Sequence, residues 1–523
     1  MSAPATTWRR ELAWLGAFLG AAALLRSSTF FQSQVGTDEA LYLTIARGLL
    51  HGQLPYVDLI DNKPPGIYLL FALAQVVLGQ NVLAMRLLAC LFNALSCLLL
   101  LRIGRTMRSE AVGAIAALLY LFFSLGNYGL EANTELFYTP FVLAGFLALV
   151  YRPLADGSAP TPASCFWGGL SLGCALEIKY VVVFDTLAVA LLLWAQTRRH
   201  APGLPALARR AGPFCAGFLL PFALFLGFYA AVGHRSEFLD YNLRANLTHR
   251  TDTAFAPLYL MGRLKDQVRE NLLLWVGTVC AGGLALARRA GTDAHERSGL
   301  RATLLWFACA ILGVSFTKTF YRHYFAQLLP AQCLLTALVI GVATRELRAF
   351  ERGLALVLVL VVPLTDVAYR PLADGAKLAY FHVLKRQPTW HDTPAEIAAY
   401  LRPRVPAGRT IYVADYKAII NYLVPAAPLP SRYMLPEFLN DPHFAKVARV
   451  DALAELDAIM QKRPLFVVRR REGRNEFYQR LDRYLRADYV LDRAFEESNS
   501  ADWQLSEEPA QDRYIELYRR LHD

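Results

Sequence analysis

The chain has 523 residues, of which 55% are hydrophobic and 12% aromatic, with a mean hydropathy of +0.29. Its apolar residues fall in long runs, which excludes an ordinary soluble enzyme and marks a polytopic membrane protein. The net charge of +11 raises nucleic acid as a partner, but Arg pairs recur in short loops between apolar runs. That is the distribution of the positive-inside rule, so no nucleic acid is expected.

A span needs roughly 20 apolar residues, and cytoplasmic loops carry the excess Arg and Lys. Residues 11–31 cross outward from Arg9-Arg10, which read as a first anchor and not as a signal peptide. The loop 32–82 then lies outside, and within it Ile67–Leu78 is too short to cross and is expected to lie on the membrane surface. Residues 83–101 return to Arg102, Arg105 and Arg108, 111–125 go out, GNYGLEANTE (126–135) is a short outer loop, and 136–151 return to Arg152. The apolar block 165–195 reads as a hairpin of two short spans with Glu177 and Lys179 at its outer tip. Residues 211–231 go out to a loop at 232–269, 270–287 return to Arg288-Arg289, and 301–316 lead to FTKTFYRHY (316–324). Residues 325–343 come back to Arg345 and Arg348, and a last span, 353–369, leaves the tail outside. These are about eleven crossings, with every acidic or mixed-charge loop on one face.

All eight cysteines (Cys90, Cys97, Cys165, Cys174, Cys215, Cys280, Cys309 and Cys333) lie in or beside apolar segments, without metal-ligand spacing. Neither a disulfide framework nor a zinc site is indicated.

The stretch Gly36 to Gly66, GTDEALYLTIARGLLHGQLPYVDLIDNKPPG, sets charges between two apolar segments. Asp38 and Glu39 follow the first span, and Lys63 returns to the same membrane rim. A carboxylate able to take a proton and a cation able to hold a phosphate would then face one cavity, as a catalytic loop requires. The plainer alternative is that the acidic pair and Lys63-Pro64-Pro65 merely cap helices.

Residues 371–388 read as a linker and 389–523 as a small α/β domain on the outer face. Thr393-Pro394 with Glu396 starts a helix that Pro406-Ala407-Gly408 stops, and TIYVAD (410–415) and LFVVRR (465–470) read as strands, with helical patterns between and after them. The tail carries no glycine-rich phosphate loop or nucleophile elbow. It reads as an accessory domain that docks an acceptor or acts as a lid.

The Asp-Glu pair after the first span, the run ARGLLHGQLPYVD, Lys63-Pro64-Pro65, a surface-helix length, and then a turn with Met85-Arg86 resemble the first outer loop of the GT-C glycosyltransferases. The chain is most similar to the glycosyltransferase family 39 and protein O-mannosyltransferase-like branch and to the aminoarabinose (lipid A) transferase-like proteins of bacteria. In layout the resemblance covers residues 10–370, which would form a GT-C transmembrane domain (1–370). It implies a mainly α, polytopic enzyme of a bacterial inner membrane, with the N-terminus cytoplasmic and the C-terminal domain periplasmic. The activity it implies is inverting transfer of a hexosyl or pentosyl unit from a polyprenyl-phosphate-linked donor to a glycan, lipid or protein acceptor. Asp38 corresponds to the general base, with Glu39 second choice or a positioning residue, and Lys63 is the first choice for the donor phosphate. Arg86, Lys179, Arg322 and His323 are possible helpers, and Tyr42, Asp61, Glu131, Glu135 and Tyr324 are further candidates. The lipid-linked sugar is a substrate, so no cofactor is certain. In the aminoarabinose-transferase relatives an acidic residue precedes the Lys-Pro. Asn62 stands there in this chain with Asp61 one position earlier, so a divalent metal finds no support.

Each secondary residue has a plainer role: Arg86 snorkels to headgroups, Tyr321, His323 and Tyr324 form an aromatic belt, and Glu131 and Glu135 cap a helix. A transporter or lipid flippase is the alternative function, and it predicts charges at mid-span or half-chain repeats with broken helices. The charges instead crowd at one face, and the first outer loop has no counterpart in the second half. A non-catalytic scaffold would need no acid and cation at one rim.

Overall fold

The computed structural model describes residues 4–247, 257–287, 293–316, 318–345, 347–386, 392–470, 475–497 and 514–521. Among the described residues, fourteen principal helices precede the C-terminal domain. They are α1 Pro4–Leu25, α2 Thr37–Leu50, α3 Gly66–Leu78, α4 Val82–Met107, α5 Glu110–Phe123, α6 Thr134–Asp156, α7 Pro162–Leu176 and α8 Tyr180–His200. There follow α9 Leu204–Ala231, α10 Pro257–Glu270, α11 Leu272–Leu286, α12 Ala294–Phe316, α13 Arg322–Ala343 and α14 Ala349–Leu384. Seven of them (α4, α6, α8, α9, α12, α13 and α14) are long and apolar enough to cross a membrane; α3, α5 and α11 are apolar but shorter. The chain breaks at Glu177–Lys179 between α7 and α8, where the hairpin tip was expected. The short Ile67–Leu78 segment is helical, as α3. Arg288 and Arg289 lie outside the described residues.

The two ends of the bundle differ in chemistry. At one end Arg102 binds Glu11, Arg10 and Arg105 bind Glu110 at 2.5 and 3.3 Å, and Arg108 binds Glu296 at 2.6 Å. The arginines read as topology signals therefore also tie together α1, α4, α5 and α12. Because α4 runs for 26 residues, its other end is about 39 Å away, and there the first loop gathers the acidic and basic groups described below.

Within the stretch read as a linker, 371–388, α14 stays helical through Leu384, and residues 387 and 388 lie outside the described residues. The C-terminal domain comprises α15 Thr393–Leu401, β1 Ile411–Asp415, α16 Ile419–Leu423, α17 Glu437–Asn440, α18 Pro442–Val447, α19 Ala452–Gln461, β2 Phe466–Arg470, α20 Glu476–Asp488, β3 Tyr489–Glu496 and β4 Tyr514–Arg520. Its sheet has the order β1-β2-β4-β3, with β1 and β2 parallel and the other pairs antiparallel. The sequence reading found β1 and β2 but not β3 and β4, whose charged residues (DR in YVLDRAFE, E and RR in YIELYRR) mask the period-two pattern. One face of the sheet packs on its own core of Ile397, Val413, Ile420, Val468 and Leu517. Tyr412, Ala414, Tyr422 and Phe438 instead join the apolar core of the membrane bundle. Polar contacts fix the docking: Ser33 donates through N and Oγ to Asp392, both at 2.6 Å, Arg47 donates to the Tyr422 carbonyl at 2.6 Å, and Ile60 N donates to the Arg432 carbonyl at 3.0 Å.

Candidate active site

Asp38 and Glu39 are neighbours in the first turn of α2, yet the helix sends them to opposite environments. Glu39 turns inward and reaches back to the N–H groups of Val35 (2.9 Å) and Gly36 (3.2 Å). It also accepts from Ala132 N at 2.6 Å and forms a two-pronged pair with Arg86, whose Nη2 donates at 2.9 Å. Both side chains of this pair are 1% exposed. Glu39 and Arg86 thus pair with each other inside the bundle, and neither lines the cavity described below. An added Cβ on Gly36 would lie 2.4 Å from the carboxyl carbon of Glu131, so a larger residue at this turn would have to push that carboxyl aside.

Asp38 faces outward, 28% exposed at its side chain. Its Oδ2 accepts from the Tyr42 hydroxyl at 3.1 Å and lies 3.5 Å from Lys63 Nζ. The segment bearing Lys63 is held from below. Tyr56 donates to the Lys63 carbonyl at 2.6 Å, Tyr68 donates to Asp61 Oδ2 at 2.6 Å, and Asn246 donates to the Asn62 carbonyl. Pro64 and Pro65 then set the start of α3, where Gly66 N donates to the Glu177 carbonyl at 2.7 Å. A Cβ on Gly66 would sit 2.5 Å from that oxygen, so the hairpin tip and the first loop come together only over a glycine.

Asp38, Asp61, Asn62, Lys63, Pro64 and Asn246 line a cavity of about 600 Å³. Of the candidates, Asp38, Asp61, Lys63, Lys179, His323 and Tyr324 are on its wall. Lys179 is paired with Glu135 and lies 4.3 Å from the centre of the Tyr324 ring, while His323 packs between Tyr321 and Tyr324. Tyr42 supports Asp38 from behind. Glu131 and Glu135 stand one layer back, around a smaller cavity that also touches His323. Arg322 is bound to Glu270 and stacks near Tyr128, so it is not on the main cavity wall.

Electrostatics separate the carboxyls. Burial pushes Asp38 upward, but Lys63, with His323 and Lys179, outweighs it and holds Asp38 below the usual aspartate range. Burial pulls Lys63 down, yet Asp38 and Asp61 hold it above the ordinary lysine value. Asp61 is raised by burial, with Lys63 opposing. Glu131 is pushed up to about 8 by burial and by the carboxylates of Glu39 and Asp38. One carboxylate is therefore kept ionised beside a permanent cation, and Glu131 behind it is neutral at pH 7.

The rest of the wall divides by origin. Val181, Val183, Phe184 and Phe316 come from the ends of α8 and α12, with the two Phe rings 5.1 Å apart. Leu435, Glu437, Phe438 and Phe444 come from the C-terminal domain. Sequence reasoning did not find this second group. Its only signal is an acid among aromatics in LPEFLNDPHF (435–444), without the spacing of any known motif.

Residues 62–208 match the model of a family described as dolichyl-phosphate-mannose-protein mannosyltransferase. No curated protein matches the chain by sequence. Among solved structures, ArnT from Cupriavidus metallidurans bound to undecaprenyl phosphate is 12% identical, with a TM-score of 0.60 over 97% of this chain and 98% of that one. The apo form of ArnT gives 14% identity and a TM-score of 0.61 over 98% of both chains. An oligosaccharyltransferase of Archaeoglobus fulgidus in complex with an inhibitory peptide and a dolichol-phosphate is also similar, at 12% identity and a TM-score of 0.45 over 87% of this chain and 69% of that one. The chain is a multi-pass membrane protein with an ArnT-like fold, and its residues 62–208 match the sequence pattern of the dolichyl-phosphate-mannose-protein mannosyltransferases.

Proposed function

We propose that the protein transfers a sugar from a polyprenyl-phosphate donor to an acceptor hydroxyl on the outer face of the cytoplasmic membrane, in a bacterial cell envelope. The observation that carries this reading is the Asp38–Lys63 pair, 3.5 Å apart on the wall of a cavity whose remaining wall is largely apolar. The polyprenyl tail enters along Val183, Phe184 and Phe316, and the phosphate rests on Lys63 with Lys179 as the second cation. Asp38 takes the proton of the acceptor hydroxyl as that oxygen attacks the anomeric carbon. The bond from that carbon to the phosphate oxygen breaks, the configuration inverts, and polyprenyl phosphate leaves with its charge held by the lysines.

The pair also links donor binding to basicity. In the free protein Lys63 depresses Asp38, which weakens it as a base. A bound phosphate takes a share of the lysine charge and lets the Asp38 pKa rise, so the base strengthens once the donor is in place. The tetherings of Tyr56 and Tyr68 keep Lys63 and Asp61 fixed while this happens.

The test is reconstitution in nanodiscs with a labelled undecaprenyl-phosphate sugar and fractionated envelope material. Transfer appears as free undecaprenyl phosphate together with label in an acceptor. A transporter or flippase would move the donor without cleaving it, and that result would remove the enzyme reading.

A further inference from the structure

A carboxylate of the cavity wall that this mechanism leaves unused is Glu437, on the short helix α17 of the C-terminal domain. It lines the cavity with Asp38, and its Oε2 is buried without a hydrogen-bond partner among the described residues. A buried, unpaired carboxylate oxygen is costly, at the scale of a lost charged hydrogen bond, unless something in the cavity donates to it. Phe438 and Leu435 are buried beside it, and Phe444 completes the same wall from α18.

Charge decides which substrate this wall meets. The donor phosphate is anionic and belongs with Lys63 and Lys179, and a carboxylate would repel it. A sugar ring suits the wall better: its hydroxyls donate to a carboxylate and its C–H faces cover aromatic rings. The wall also hangs on the docked soluble domain, while the span ends supply the lipid path. Building on the glycosyltransferase reading, we propose that Glu437, with Phe438 and Phe444, forms the acceptor subsite, and that the acceptor group held there is a hydroxyl-rich sugar and not a peptide side chain. Glu437 is then a positioning residue that orients the attacking hydroxyl toward Asp38.

The experiment uses the full-length protein in nanodiscs, labelled undecaprenyl-phosphate sugar, and envelope glycolipid, polysaccharide and protein fractions as acceptors. Wild type should label a glycan-bearing fraction. Glu437→Gln keeps the shape but loses the charge. It should lower kcat/KM for the acceptor about 10- to 100-fold, mainly through KM, with undecaprenyl phosphate binding unchanged. Phe444→Leu should raise the acceptor KM in the same direction, which keeps the test alive if the Glu437 variant fails to fold. An unchanged acceptor KM in both variants, or label entering only protein, overturns the assignment while leaving the enzyme reading intact. A loss in kcat as deep as that of Asp38→Asn also overturns it, because Glu437 would then take part in the chemistry. Failure of wild type to transfer to any fraction overturns the enzyme reading and this assignment with it.

Discussion

Two adjacent acids, Asp38 and Glu39, should fail in different ways when each is changed to its amide. Asp38→Asn keeps size and hydrogen-bonding reach and leaves Tyr42 a partner, but removes the basicity the transfer needs. Loss of a general base costs about 10²–10⁴-fold in rate, while loss of a partly exposed ion pair costs only about 0.2–1 kcal/mol in stability. Glu39→Gln breaks a fully buried pair. Arg86 stays 1% exposed at its side chain with its charge uncompensated, and an amide nitrogen faces the N–H groups of Val35, Gly36 or Ala132 that the carboxylate accepted. Such a break costs about 3–5 kcal/mol. The assay pairs transfer rate with thermal unfolding of the purified protein. Asp38→Asn should be inactive, should unfold near the wild-type temperature and should bind undecaprenyl phosphate normally. Glu39→Gln should express poorly or unfold many degrees lower. An active Asp38→Asn with a stable but inactive Glu39→Gln would reverse the two roles and refute the reasoning.

Lys63→Ala should slow transfer and also weaken undecaprenyl phosphate binding, because the cation serves both the bound phosphate and the departing one; normal binding by equilibrium titration would move the phosphate site to Lys179. Glu177 is buried, neither of its carboxyl oxygens has a hydrogen-bond partner among the described residues, and burial pushes it up to about 8 from an ordinary value near 4.5. The folded state therefore holds a proton that the unfolded chain releases, so this residue's contribution falls as pH rises through that window. Glu177→Gln should match wild type near pH 5 and melt higher than wild type at pH 8–9, and parallel melting curves at all pH values would count against it. The proposed topology puts the tail outside, so protease added to intact spheroplasts should cleave within 389–523; protection of a C-terminal tag would invert it.

The bundle was legible in the sequence because lipid forces apolar runs to a known length and places arginines at one end. Arg102, Arg105 and Arg108 were read for their side, and their acidic partners Glu11, Glu110 and Glu296 became visible only when the helices were packed. Asp38 and Lys63 were legible as a pair because both flank apolar segments in one loop. The division of labour between Asp38 and Glu39 was not, since it depends on which face of α2 meets Arg86, 47 residues further on. Glu437 was out of reach for the same reason: nothing local joins position 437 to position 38. The strands β3 and β4 were hidden because charged residues interrupt their alternation, and pairing with β2 decides their structure.

The cavity is thus a product of assembly and not of any one motif. Asp38 sits on α2, Lys63 on the loop before α3, Lys179 at the α7–α8 tip and Glu437 on a domain some four hundred residues down the chain. Each is fixed by a different contact: Tyr42 under Asp38, Tyr56 under Lys63, Glu135 against Lys179, and the α16–α2 docking through Arg47 for the wall that holds Glu437. A lipid-borne donor and an acceptor outside the membrane must meet with their reacting atoms about 3–3.5 Å apart. A membrane bundle alone offers cations and an apolar path to the first, and a soluble domain alone offers a polar and aromatic wall to the second. Because the docked domain shares its apolar core with the bundle, the two walls are held at a fixed separation, and in the proposed reaction that rigidity lets Asp38 serve both substrates at once.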